Sequence, residues 1–218
     1  MLNNLSLKWK GILIILFCLS GMCIQQYFSI TSAREAMMKE KREKLQEVVK
    51  AAYDIVETVA KQADKGLISQ SEAKERAGAL LRDVRYNHLG DYYFVYDYSG
   101  TNIVLGPRPD LENKNLIDLK DPNDVYFVAD LIKAAKNNGG FVEYDWPRGE
   151  QIIPKLSYAT GYQPWNWMIG TGIYIDDVDA AFYNNVKRSL MLVSVIILIV
   201  AGFTGFVIKN IISPILAT

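Results

Sequence analysis

The chain is short of the residues on which most catalysis depends. Its 218 residues include one histidine, His88, and two cysteines, Cys18 and Cys23. With no other imidazole or thiol, most nucleophilic triads and most zinc sites are excluded. Cys18 and Cys23 lie five residues apart in one apolar stretch. They cannot face each other within a helix, so no disulfide holds the rest of the chain, and the pair reads most simply as small apolar side chains facing lipid. Asp176, Asp177 and Asp179 lack the glycine-containing spacing of a calcium loop and suit the start of a helix instead. Gly170-Thr171-Gly172 falls inside a strand pattern and opens no helix, so it is not a dinucleotide motif. No cofactor is expected. A basic excess is missing too: 24 basic residues balance 24 acidic ones, which excludes a nucleic-acid partner of the usual electropositive kind.

Charge is also absent from two long stretches, 11–33 and 189–208. Each is long enough to cross ~30 Å of hydrocarbon as a helix. All 24 acidic residues lie between them, with 21 of the 24 basic ones, so the middle is mildly negative while the flanks carry only Lys8, Lys10 and Lys209. Lysine-bearing flanks belong on the cytoplasmic side. A cleaved signal peptide ending near Thr31-Ser32-Ala33 is the alternative for the first stretch, but its apolar part is long for that role and a second span follows. The expected layout is a cytoplasmic N-terminus at 1–10, a transmembrane helix at 11–31, an extracytoplasmic domain at 32–188, a second transmembrane helix at 189–208 and a cytoplasmic linker at 209–218. The protein is then a two-pass membrane protein, in contact with the lipid bilayer.

Leu45, Val48, Val49, Ala52, Ile55, Val56, Val59 and Ala63 recur at spacings of three and four among charged residues, which predicts a long amphipathic helix from about Ser32 to Gly66. Ser69-Gln70-Ser71-Glu72 has the form of a capping box and predicts a second helix, about Gln70 to Arg85. Strand formers dominate Tyr92 to Tyr96 and Thr101 to Leu105, then again Phe141 to Trp146, Gln151 to Thr160 and Trp167 to Ile175, with a short helix at Val125 to Lys136. The fold class is α+β: an antiparallel sheet of about five strands with a long N-terminal helix, flanked by the two transmembrane helices.

Several segments are recognisable in order and spacing: Arg85-Tyr86, the Asp91 to Asp97 strand, Leu119-Lys120-Asp121-Pro122-Asn123, Gly140 to Pro147, Pro154-Lys155-Leu156-Ser157-Tyr158, Pro164-Trp165-Asn166-Trp167 and Gly170 to Asp177. Over roughly residues 34–185 the chain resembles the single-Cache sensor domains of bacterial methyl-accepting chemotaxis proteins. Ile212-Ser213-Pro214-Ile215 looks like the first residues of a HAMP linker, with the cytoplasmic signalling domain missing from this chain. The resemblance implies a PAS-like fold and a pocket for a small organic carboxylate of the acetate, propionate, lactate or pyruvate class. Many relatives carry a histidine before the proline of the second strand, where this chain has Gly106, a departure that bears on which ligand is taken.

Within that frame Lys155 is the expected anchor, because an ammonium drawn into a sheet needs an anionic partner. The residues alone also allow Lys155 to face solvent or to pair with Glu143 or Asp145, and the resemblance favours the ligand. Tyr144 and Trp146 share a face of the neighbouring strand and are expected as phenol donor and pocket wall, although plain core packing explains Trp146 as well. Tyr158 lies on the same strand as Lys155. Tyr92 and Phe94 are the chosen face of the first strand, over Tyr93 and Val95. Tyr126 at the short helix and Arg108 in the preceding loop are expected to close over the anion. A homodimer is expected, since the long helix has more apolar positions than one domain face needs. A membrane-tethered enzyme is disfavoured by the missing His and Cys chemistry, and a sensor histidine kinase is the alternative output.

Overall fold

The computed structural model describes residues 7–87 and 90–207. His88, the Lys209 flank and the Ile212–Ile215 segment lie outside the described residues. The chain divides into two compact units, Met38–Asp177 on the one hand and the two end segments, Met1–Met37 with Val178–Thr218, on the other.

Helix α1 (Leu7–Asp64) is continuous over 58 residues, as the unbroken pattern predicts. Helix α2 (Gln70–Arg82) starts where the capping box placed it: the Ser69 hydroxyl accepts from Glu72 N at 3.1 Å. It ends three residues before the expected Arg85. Arg85–Tyr86 instead forms a two-residue strand, β1, which pairs with Asp91 and Tyr92. Strands β2 (Asp91–Asp97), β3 (Asn102–Leu105), β4 (Gly140–Arg148), β5 (Gln151–Tyr162) and β6 (Trp167–Tyr174) complete one antiparallel sheet in the order β1-β2-β6-β5-β4, with β3 also on β2. Helix α3 (Phe127–Lys136) precedes β4, and helix α4 (Asp176–Val207) follows β6 directly. The β4–β5 turn is Gly149-Glu150, because Arg148 still pairs with Gln151. Gly149 takes φ 64° there, a backbone region open to glycine without steric cost.

Period-two alternation sorts the side chains onto two faces. Tyr93 and Val95 of β2 and Ile169 of β6 meet Ala52, Val56, Val59 and Ala60 of α1 and Ala73, Ala77 and Leu81 of α2. The other face carries Phe94, Tyr96, Leu105, Tyr144 and Met168 against Phe127, Val128, Leu131 and Ile132 of α3. Strand β4 is an edge strand. Its Asp145 N–H turns away from β5 and donates to Asp121 Oδ2 at 2.9 Å, and two residues on Pro147 has no N–H. Asp121 also accepts from Asn123 N and Val125 N, so the loop before α3 is tied to this edge.

The described residues hold two helices long and apolar enough to cross a membrane, one at each end. The first takes in residues 15–33 of one uncharged stretch and the second residues 189–206 of the other.

Candidate functional site

Between the α3 face of the sheet and α3 lies a small cavity lined by Tyr92, Phe94, Tyr96, Leu105, Phe127, Leu131, Tyr144, Trp146 and Lys155. Its free volume, about 10 Å³ for the centre of a water-sized sphere, is room for about one water. A larger open groove of about 840 Å³ runs along α2 past Asp97 and Trp165. The groove is lined by solvated charges, whereas the small cavity contains the one buried cation among the described residues, and that charge is what marks it as the candidate site.

Lys155 is 1% exposed. Its Nζ donates to the Tyr92 hydroxyl at 3.0 Å and lies 4.4 Å from the Tyr92 ring centroid and 5.4 Å from that of Tyr174. These contacts are neutral: no carboxylate lies within 4.0 Å among the described residues. Burial pushes the ammonium down to about 7, opposed by the charge of Asp91, itself buried and bonded to Asn87. Neither Glu143 nor Asp145 pairs with it. Tyr144 is the cross-strand partner of Lys155, stacks on Phe127 with centroids 4.4 Å apart, and exchanges a 3.0 Å hydrogen bond with Ser157. Burial holds the Tyr144 phenol well above its ordinary value, so it is a donor at any physiological pH. Trp146 packs edge-on against Phe127 at 5.2 Å. Burial raises the Tyr92 phenol to about 12, opposed first by the nearby Trp146 indole.

The floor is made by two missing side chains. A Cβ on Gly170 would come within 2.4 Å of the Phe94 ring, and one on Gly172 within 2.7 Å of Lys155 Cε and 2.1 Å of Ser157 Oγ. The Gly170-Thr171-Gly172 run therefore gives Phe94 and Lys155 room to lie flat on β6. Gly106 is explained in the same way. A side chain there would strike the Arg82 carbonyl at 2.3 Å and the Arg85 guanidinium at 2.6 Å, and Arg85 is anchored by bonds to the Arg82 and Val84 carbonyls.

Five of the eight expected residues meet in the cavity: Lys155, Tyr144, Trp146, Tyr92 and Phe94. The other three do not. Tyr158 is three residues from Lys155 on one strand, so it points to the opposite face, where it packs on Phe141 at 4.8 Å. Tyr126 is 43% exposed and sits beneath Lys120, 4.6 Å from its ring. Arg108 is exposed and bound through two nitrogens to Asp110, at 2.9 and 2.8 Å. Four lining residues escaped the sequence reading. Tyr96 shares the parity of Tyr92 and Phe94, and Phe127 and Leu131 stand four apart on α3, so those three were within reach of periodicity. Leu105 and the approach of Tyr174 depend on strand register, which no local signal carries.

Residues 37–188 match the family of Single Cache domain 2, and the chain belongs to that family. Among curated relatives it is 34% identical over 177 residues to the sensor histidine kinase MctS of Rhizobium johnstonii, covering 77% of this chain and 38% of that protein. It is 24% identical over 216 residues to the methyl-accepting chemotaxis protein McpP of Pseudomonas putida, covering 98% and 40%. The chain thus spans about two fifths of the length of these relatives. A solved periplasmic sensor domain of a chemotaxis protein superimposes with a TM-score of 0.61 at 32% identity, over 64% of this chain and 98% of that one. A Cache chemosensory domain described as a basis for carboxylic acid recognition gives 0.61 at 27%, over 65% and 97%. The mixed helix-and-sheet unit is an extracytoplasmic sensory domain of the kind carried by chemotaxis receptors and sensor kinases.

Proposed function

We propose that this chain is the sensing and membrane-anchoring portion of a two-pass chemoreceptor, and that its Cache domain binds a small organic carboxylate of the acetate, propionate, lactate or pyruvate class at Lys155. One observation carries the reading: a fully buried ammonium whose direct contacts are neutral phenols and rings, with Asp91 acting on it only from beyond 4.0 Å. An anion is the missing half of that arrangement, and a carboxylate would accept charge-assisted bonds from Lys155 and neutral ones from Tyr92 and Tyr144. The cavity as it stands has room for about one water, so a small carboxylate would enter by parting the rings over Lys155, with Trp146 and Phe127 closing over its alkyl end. The neighbour described for carboxylic acid recognition supports the same class.

In this reading the apolar parts of α1 and α4 are the spans, with residues 1–10 and 209–218 on the cytoplasmic side. A homodimer belongs to the proposal as well, although α1 spends most of its apolar positions on its own core: Leu45, Val49, Ala52, Val56 and Val59 are buried, and Ile55 remains beside the half-exposed Leu80 in a groove between α1 and α2. A second reading, the outer part of a sensor histidine kinase, is favoured by the higher identity to MctS. The coding sequence downstream separates the two outputs.

The ligand proposal is tested by isothermal titration of the purified chain with acetate, propionate, lactate and pyruvate, beside Lys155→Met. Binding by the wild type and none by the variant is expected. Heat from neither protein, or equal binding by both, overturns it.

A further inference from the structure

Tyr174 is the last residue of β6, two positions before α4 begins, and it stands between two cations. Lys155 Nζ is 5.4 Å from its ring centroid and Arg148 Cζ is 4.9 Å from the same centroid. Both distances fall within the range where a cation feels the ring quadrupole. Lys155 is also the direct cross-strand partner of Tyr174. The far side of this arrangement is fixed at three points. The Tyr174 hydroxyl donates to the Pro147 carbonyl at 2.7 Å, Lys41 of α1 reaches the Tyr174 carbonyl at 3.5 Å, and Arg148 binds Asp176 through two nitrogens at 3.3 and 2.6 Å. Asp176 is the first residue of α4.

We propose that Tyr174 and Arg148 form a relay through which a charge arriving at Lys155 is felt at the first turn of α4. The relay rests on the carboxylate reading above and goes beyond it by naming the path out of the site. Arg148 divides its charge between the ring and Asp176. While Lys155 is without an anion, the ring serves two cations at once. A carboxylate on Lys155 neutralises that cation and draws it toward the ligand, leaving the ring to Arg148 and changing the hold of Arg148 on Asp176. The geometry requires no large movement, because the cavity, the ring and the helix start are joined by direct contacts. Tyr174 and Arg148 act in it as positioning residues and do not line the cavity.

The test uses the full chain in lipid nanodiscs, with acetate and propionate as probes, and reads both affinity and amide hydrogen exchange at the start of α4. In the wild type, ligand is expected to change exchange at residues 176–179 severalfold. Arg148→Gln should keep affinity within about twofold while losing that exchange response, a separation that damage to the fold would not produce. Tyr174→Phe, which keeps the ring, should keep the response. Asp176→Asn removes the ion pair from the other end and should lose it, which covers the case in which Arg148→Gln misfolds. A wild-type response that survives in both Arg148→Gln and Asp176→Asn overturns the relay alone. Absence of binding by the wild type removes the carboxylate reading and the relay with it.

Discussion

At the scale of single residues, Lys155 sets the terms. A depressed folded-state value means that between about 7 and the ordinary lysine value of 10.5 the unfolded chain holds a proton that the folded chain has released. Stability therefore rises with pH through that window, and below it the whole cost of the buried ammonium, on the order of a few kcal/mol, is present. Lys155→Met removes the charge while keeping length and apolar bulk, and should stabilise the protein by about 1–4 kcal/mol near pH 6, read as a higher midpoint of thermal unfolding. Ligand affinity runs the opposite way. A carboxylate favours the charged lysine, so affinity should be flat from about pH 5.5 to 7 and then fall by up to about tenfold per pH unit, with uptake of a proton on binding above pH 7. Titration in two buffers of different ionisation enthalpy measures that uptake. Asp91, Tyr92, Tyr96, Tyr144 and Tyr174 are ionisable groups around the ammonium, and burial raises all five, so none of the phenols titrates in this range.

At the scale of elements, β6 owes its function to what it omits. Gly172→Ala sets a methyl group 2.7 Å from Lys155 Cε, and the lysine must move off the strand. Loss of carboxylate binding by tenfold or more is expected, with a stability cost of about 1–3 kcal/mol, measured by titration and chemical denaturation. Ser69→Ala, at the far end of the domain, should cost about 1 kcal/mol and leave affinity unchanged. The elements themselves were legible in the sequence. Alternation on β2 put Tyr92 and Phe94 on one face, and the capping box placed α2. What could not be read was pairing: Arg85–Tyr86 is too short to carry a strand signal, and Tyr174 comes to Lys155 only through the register of β5 on β6. Tyr158 was legible in principle, since a residue three places from Lys155 on a strand must face away from it.

At the scale of the whole molecule, the proposed layout makes a topological prediction. With the native cysteines replaced, a cysteine at Ser99 should react with a membrane-impermeant maleimide in intact cells, and one at Asn4 should react only after lysis. Labelling of both in intact cells would sink the two-pass arrangement. The edge of the sheet limits how copies of the protein can associate. Along the middle of β4 one outward donor is already taken by Asp121, and the next, at Pro147, does not exist. A strand from another copy would lose two successive rungs there, which disfavours fibres grown by sheet extension. In the proposed homodimer, contact through the helices would be made and released without tearing a hydrogen-bonded ladder.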